Sequence, residues 1–374
     1  MTHGRPVVRY APGKLFIAGE YAVVRPGTPA ILVAVDRRVG VTVSGMDSGA
    51  VTVTSDLCPE GARLRRTRDG LTGYETADEE RARSRLAHVR SAIEVVDALL
   101  AERGLTPPAL HLSVSSGLHT GGKKYGLGSS GAVTVAAIAA LAGYCGLDLT
   151  PEARFRLAVL ATARLDAKSS CGDLAASTWG GWIAYQAPDR AAVLELARRH
   201  GVEEALRAPW PGFALRRLPP PRGLALHIGW TGEPVSTGSL VSRLDRGNEQ
   251  HDAGYREFTA RSTTLVRACV QSFEQGDHRE LLQHIRDARQ LLAELDQDTG
   301  LGIFTDRLTA LCDAAEAAGG AAKPSGAGGG DCGIAFLDAE AGPAAAQLKE
   351  RWAAADVVPL ELRPADEETM SVER

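Results

Sequence analysis

Apolar and polar residues alternate along much of the first half of the chain. Residues Ala30–Ser44 interleave β-branched and polar side chains, the period-two signature of a strand. Val51–Thr54 continues that pattern, and His111–Ser115 and Trp182–Tyr185 read as further short strands. Helical spacing marks His88–Arg103, which stops at Gly104, and the apolar run Ala132–Tyr144. Thr150-Pro151-Glu152 supplies an N-cap with proline in the first turn, opening a helix to about Ala167. Further on, Leu224–Trp230 reads as strand, and Tyr255–Glu274, Glu280–Asp298 and Leu308–Ala318 read as helices. The strands Ile334–Leu337 and Val357–Leu362 flank a last helix near Ala344–Ala354.

This mixed order argues for an α+β fold over a doubly wound sheet. Consecutive prolines are stiff and extended, so Pro219-Pro220-Pro221 marks a boundary between units 1–218 and 219–374. A length of 374 residues is comfortable for two domains. The tail after Pro364 is acidic and expected to be disordered.

Composition narrows the function classes. Hydrophobic residues make up 44%, charged residues 24%, and the net charge is −4. That balance carries no nucleic-acid or membrane footprint, so an anionic ligand needs a local cluster of positive charge. The six cysteines form no C-x-x-C pair, which fits a reducing cytoplasm. The N-terminus lacks the apolar run of a signal peptide, and Ala132–Leu141 is too short to span a bilayer. Nine histidines show no metal spacing and are assigned no catalytic role. Lysine occurs only at 14, 123, 124, 168, 323 and 349, against 42 Lys plus Arg. Five of those six lie in or beside glycine-rich segments, where a compact ammonium is not replaced by the planar fork of Arg.

Gly126-x-Gly128-x-x-Gly131 matches a dinucleotide-binding fingerprint, but its approach, Gly121-Gly122-Lys123-Lys124-Tyr125, is polar where that fingerprint needs an apolar strand. No Lys-Ser/Thr follows Gly131, so a Walker loop fails too. The remaining chemistry is an anion-binding helix N-terminus, with backbone N–H groups approaching phosphate oxygens and Ser129 and Ser130 adding hydroxyls for phosphate or Mg²⁺. A plain turn entering a buried helix is the alternative. Trp179 and Trp182 read as core anchors.

Three segments together carry a resemblance. Ala11-Pro12-Gly13-Lys14-Leu15-Phe16-Ile17-Ala18-Gly19-Glu20-Tyr21, the loop through Ser129-Ser130-Gly131, and Lys323-Pro324-Ser325-Gly326-Ala327-Gly328-Gly329-Gly330-Asp331 resemble, in order, the three motifs of the GHMP kinase superfamily. Within it, Lys123-Lys124-Tyr125-Gly126, Ser170-Cys171-Gly172-Asp173 and Trp230-Thr231-Gly232-Glu233-Pro234 with Ser236-Thr237 are most similar to the phosphomevalonate kinase family. The resemblance implies an N-terminal ribosomal-protein-S5-like domain and a C-terminal ferredoxin-like domain. It also implies ATP and Mg²⁺ as cofactors, a small-molecule acceptor, (R)-5-phosphomevalonate, and a monomer or homodimer.

By the same resemblance, Lys14 and Asp173 are expected to be catalytic, and Gly126, Leu127, Gly128, Ser129, Ser130, Gly131, Gly328 and Gly329 to hold ATP. Lys124, Glu20, Tyr21, Ser170, Ser236 and Lys323 are expected at the acceptor. The chain departs from mevalonate kinases in having no Glu in Ala158–Leu165, only Asp166 beyond it, so the metal expectation rests on Ser130. Asp173 has a bland alternative as N-cap of a helix over Leu174–Ser177, and Asp331 as cap of the element that follows it. Lys168 is either a phosphate contact or solvated. The adenine pocket is expected among residues 44–103. Rival functions are another GHMP kinase such as mevalonate kinase, and a catalytically inactive sensor of this fold.

Overall fold

The computed structural model describes residues 5–365 apart from 48, 57, 69, 76–78 and 234–248. Ser236, Thr237 and the acidic tail therefore lie outside the described residues. The chain opens with strands β1 (Val7–Ala18), β2 (Pro29–Gly45), β3 (Val51–Ser55), β4 (Cys58–Thr67) and β5 (Gly70–Glu75). Helices α1 (Glu79–Arg85) and α2 (Ala87–Glu102) precede β6 (Leu110–Ser116) and a small hairpin, β7 (His119–Thr120) and β8 (Lys123–Lys124). Next come α3 (Ser129–Tyr144), α4 (Pro151–Leu165), α5 (Gly172–Trp179), β9 (Trp182–Gln186), α6 (Arg190–His200), α7 (Val202–Arg207) and β10 (Ala214–Leu218). The second half holds β11 (Leu224–Trp230), α8 (Glu249–Gln275), α9 (His278–Thr299), α10 (Asp306–Ala317), β12 (Ala321–Pro324), β13 (Cys332–Asp338), α11 (Gly342–Ala354) and β14 (Val358–Leu360).

An eight-stranded sheet in the order β10-β9-β2-β6-β3-β4-β5, with β1 also on β2, ends at Leu218; a four-stranded sheet, β12-β13-β11-β14, begins at Leu224. Between them lies the proline run. In β2, residues 29–35 are buried throughout, whereas Val39, Val41 and Val43 alternate with half-exposed neighbours over part of the rest. The buried stretch is where helices cover the sheet: α3, α5 and α8 all pack against β1 and β2. One apolar core runs through both halves, with Trp182 against Phe273 (centroids 5.4 Å apart) and Phe336 (6.1 Å).

The strands and helices expected in the second half are all present. The first half holds elements that periodicity did not show, above all β1. Pro12-Gly13 interrupts its pattern, and the pairing with β2 shifts register between those two residues. Thr150 does cap α4, its side chain accepting from Ala153 N at 3.2 Å. That helix stops at Leu165 and not near Ala167, because Asp166 is extended and its carboxylate accepts from Lys168 N at 2.9 Å.

Candidate active site

The glycine loop is reached through the β7–β8 hairpin, so its polar approach is a turn of backbone and not a long strand. Gly128, at φ +74°, is the N-cap of α3 and offers no side chain to its first turn. The N–H groups of that turn are thus left facing outward with the positive end of the helix dipole. Lys14 lies beside them, donating its backbone N–H to Leu127 O (2.9 Å) and its Nζ to Gly126 O (3.3 Å). Its side chain is enclosed, with 8% of the residue exposed.

Asp173 stands in the first turn of α5. The N-cap there is Cys171, in the left-handed region at φ +59°, so the capping alternative for Asp173 is set aside. A left-handed non-glycine residue costs on the order of 1 kcal/mol, and its neighbours hold the turn: Tyr185 Oη donates to Ser170 O (2.7 Å) and Ser170 Oγ accepts from Gly172 N (3.3 Å). Burial pushes the Cys171 thiol up to about 12 and the Tyr185 phenol well above its ordinary range, so both stay neutral. A Cβ on Gly128 would lie 2.9 Å from Lys14 Cε and 3.3 Å from Asp173 Cβ; one on Gly131 would lie 2.6 Å from Asp173 Cγ. The uncapped start of α3, the start of α5, one lysine and one carboxylate therefore meet at these two glycines.

The other expected residues divide. Ser129 and Ser130 are half-exposed in the α3 first turn, and Leu127 is buried beneath it. Lys123 and Lys124 are exposed on β8, with Lys123 Nζ reaching Gly232 O across the cleft at 3.4 Å. Lys168 is exposed. The third motif docks on the first: Ser325 Oγ donates to Phe16 O and accepts from Phe16 N, both at 2.9 Å. Lys323 is 0% exposed and ion-paired with Glu20, itself 4% exposed, while Lys323 Nζ also donates to Pro324 O (2.7 Å). Buried Tyr21 donates its hydroxyl to Ala327 O. Glu20, Tyr21 and Lys323 thus join two of the motifs to each other. The Gly329 N–H donates to Ile303 O (2.8 Å), and Gly328 packs against the same residue. The third-motif residue that abuts the phosphate loop is Asp331, whose carboxylate lies against Gly126.

His88 is half-exposed on α2, one and two turns before Ala92 and Val95, which are fully buried. Burial holds its imidazole below the ordinary histidine range; Asp173, Lys124 and Asp166 are the charges that act on it.

A magnesium ion fits this donor set only with help from phosphate. Among the described residues no group of three or more His, Cys, Asp or Glu could hold a metal. The Ser130 hydroxyl and the Asp173 carboxylate against Gly131 suit Mg²⁺, which takes few protein ligands and completes its shell with phosphate oxygens and water.

The family description "GHMP kinases N terminal domain" matches residues 88–181, and "GHMP kinases C terminal" matches residues 269–354. A phosphomevalonate kinase of Streptomyces sp. (strain CL190) is 62% identical over 370 residues, 98% of this chain and 99% of the relative. The structure of a Streptococcus pneumoniae phosphomevalonate kinase in complex with phosphomevalonate and AMPPNP is similar at a TM-score of 0.82 and 26% identity, covering 96% of this chain and 99% of that one. A mevalonate kinase of Thermococcus gammatolerans is 29% identical over 330 residues, 87% of each chain. The chain belongs to the GHMP kinases.

Proposed function

We propose that the protein transfers the γ-phosphoryl group of ATP to (R)-5-phosphomevalonate, forming (R)-5-diphosphomevalonate on the mevalonate route to isoprenoids. The observation that carries this reading is the meeting of Lys14 and Asp173 at the uncapped first turn of α3, in a chain 62% identical to a phosphomevalonate kinase over nearly its whole length. Identity to the mevalonate kinase is less than half of that, 29%.

Phosphoryl transfer needs in-line placement and compensation of charge spreading over the transferred group. The α3 first turn, Gly128–Gly131, receives the ATP phosphates on its N–H groups. Lys14 and Asp173 flank the transferred group. Lys124 neutralises the phosphate the acceptor already carries. Such a monoester has a second pKa of about 6, so its attacking oxygen is already largely ionised at neutral pH. Asp173 then orients charge and need not remove a proton. Ser130, together with the nucleotide, would hold Mg²⁺, which would supply positive charge to the phosphates. Residues 1–218 carry the phosphate loop and 219–374 the second unit. The six cysteines are free, which suits a reducing cytoplasm.

A coupled ADP-release assay tests this with mevalonate, 5-phosphomevalonate and homoserine side by side. Turnover with 5-phosphomevalonate at least about a hundredfold above the others is expected, since a site whose polar groups the wrong substrate leaves unpaired can discriminate by about 10⁴-fold or more. Turnover confined to mevalonate would overturn it.

A further inference from the structure

His88 sits where α2 passes behind the phosphate loop. Its Nδ1 lies 3.5 Å from Thr134 Oγ1, and that hydroxyl donates to Ser130 O at 2.8 Å. The Thr134 hydrogen is thereby committed, so toward the ring its oxygen can only accept. This network assigns the imidazole hydrogen to Nδ1 and leaves Nε2 as the basic nitrogen. Thr134 is fully buried, and the link from half-exposed His88 to the α3 first turn is part-buried.

The charges around His88 come from three other walls of the site. They are Asp173 on α5, Lys124 on β8 and Asp166 at the end of α4, and burial outweighs their combined pull. In the free protein the ring is therefore neutral near pH 7. A polyanion brought to the same space favours the cation.

We propose that His88 is a positioning residue for phosphoryl transfer, which sets the α3 first turn through Thr134 and takes up a proton when the ATP phosphates bind. The proposal rests on the kinase reading of the site but not on the identity of the acceptor. The sign follows from linkage. If the bound midpoint lies above the free one, binding takes up protons in the window between them, and the benefit grows as pH falls through that window. Above both midpoints the ring is neutral in both states and contributes no charge.

The test compares wild type with His88→Asn, whose amide can still donate to Thr134 but cannot titrate. Calorimetry with Mg²⁺ and AMPPNP at pH 7, in buffers of different ionisation enthalpy, counts the protons exchanged. Wild type should take up a larger fraction of a proton than the variant. The KM for ATP of the variant relative to wild type should rise as pH falls from 8.5 to 6.5, by at most about tenfold for each unit of pKa shift, with kcat less affected. Equal proton counts and a flat KM ratio would overturn the proposal, because a purely structural hydrogen bond predicts that outcome. His88→Gln serves as second variant if His88→Asn does not fold. Failure of wild type to bind AMPPNP also overturns it. AMPPNP binding with proton uptake, but no turnover of phosphomevalonate, would sink the acceptor assignment alone.

Discussion

Two lysines in glycine-rich motifs turn out to have different roles, and burial separates them. Lys14 keeps its amine at the edge of the phosphate loop, on Gly126 O. Lys323 is sealed against Glu20 with no exposed surface, and such a pair holds position because loss of either partner strands a buried charge. The scarcity of lysine singled out both and could not tell them apart; Lys349, the outlier, forms a surface pair with Glu361 at 2.7 Å. Asp173 faces the loop glycines and carries the prediction at this scale. Asp173→Asn keeps the shape and removes the charge, so kcat should fall about a hundredfold or more, the usual cost of one positioned group. KM for ATP should stay within about threefold, because the α3 backbone is untouched. Steady-state kinetics with ATP and 5-phosphomevalonate measure both, and near-normal turnover would rule the assignment out.

Among the elements, the starts of α3 and α5 matter most, and glycine is what lets them meet. In a helix interior Gly→Ala stabilises by up to about 1 kcal/mol. At Gly131 the new Cβ would fall 2.6 Å from Asp173 Cγ, so the carboxylate must move. Gly131→Ala should therefore leave the melting temperature within a few degrees of wild type and lower kcat/KM at least about tenfold. Unchanged kcat/KM would show that the contact has no part in the reaction. The same pair of helices shows where sequence was informative. Long periodic runs such as α8 and α9, and the Thr150 cap, are local features and were visible. So were the three glycine motifs, since the backbone conformations they require restrict residue choice. β1 was hidden by Pro12-Gly13, β4 by its arginines, and the edge strand β5 by its two glycines. The burial of Lys323 and the position of His88 depend on contacts between residues far apart in sequence, which no local pattern encodes.

Over the whole molecule, the two halves are joined by more than a shared core. After β14 the chain returns to the first sheet. There Asp36 N donates to Arg363 O (2.9 Å), Ala365 N to Ala34 O (2.9 Å) and Gly181 N to Ala365 O (2.6 Å), while Arg363 N donates to Asp36 Oδ1 (3.1 Å). Ala34 is the β2 residue paired with Lys14, and Val35, bridged to Pro364, is paired with Gly13. This strap thus backs the strand position that presents the lysine to the loop. At about 1 kcal/mol for each backbone hydrogen bond and about 2 kcal/mol for burying Leu362, it is worth several kcal/mol, enough to matter against a typical net stability of about 5–15 kcal/mol. A chain ending at Leu360 should melt lower by roughly 5–10 °C, given about 2 °C per kcal/mol for a chain of this size. Assayed well below its melting temperature, it should also lose turnover, because β2 no longer holds β1 in register beside Gly126. Thermal melts and kcat measured on the same preparation separate the two effects. A lower melting temperature with full kcat would confine the strap to stability, and an unchanged melt would show that β1 and β2 keep their pairing without it.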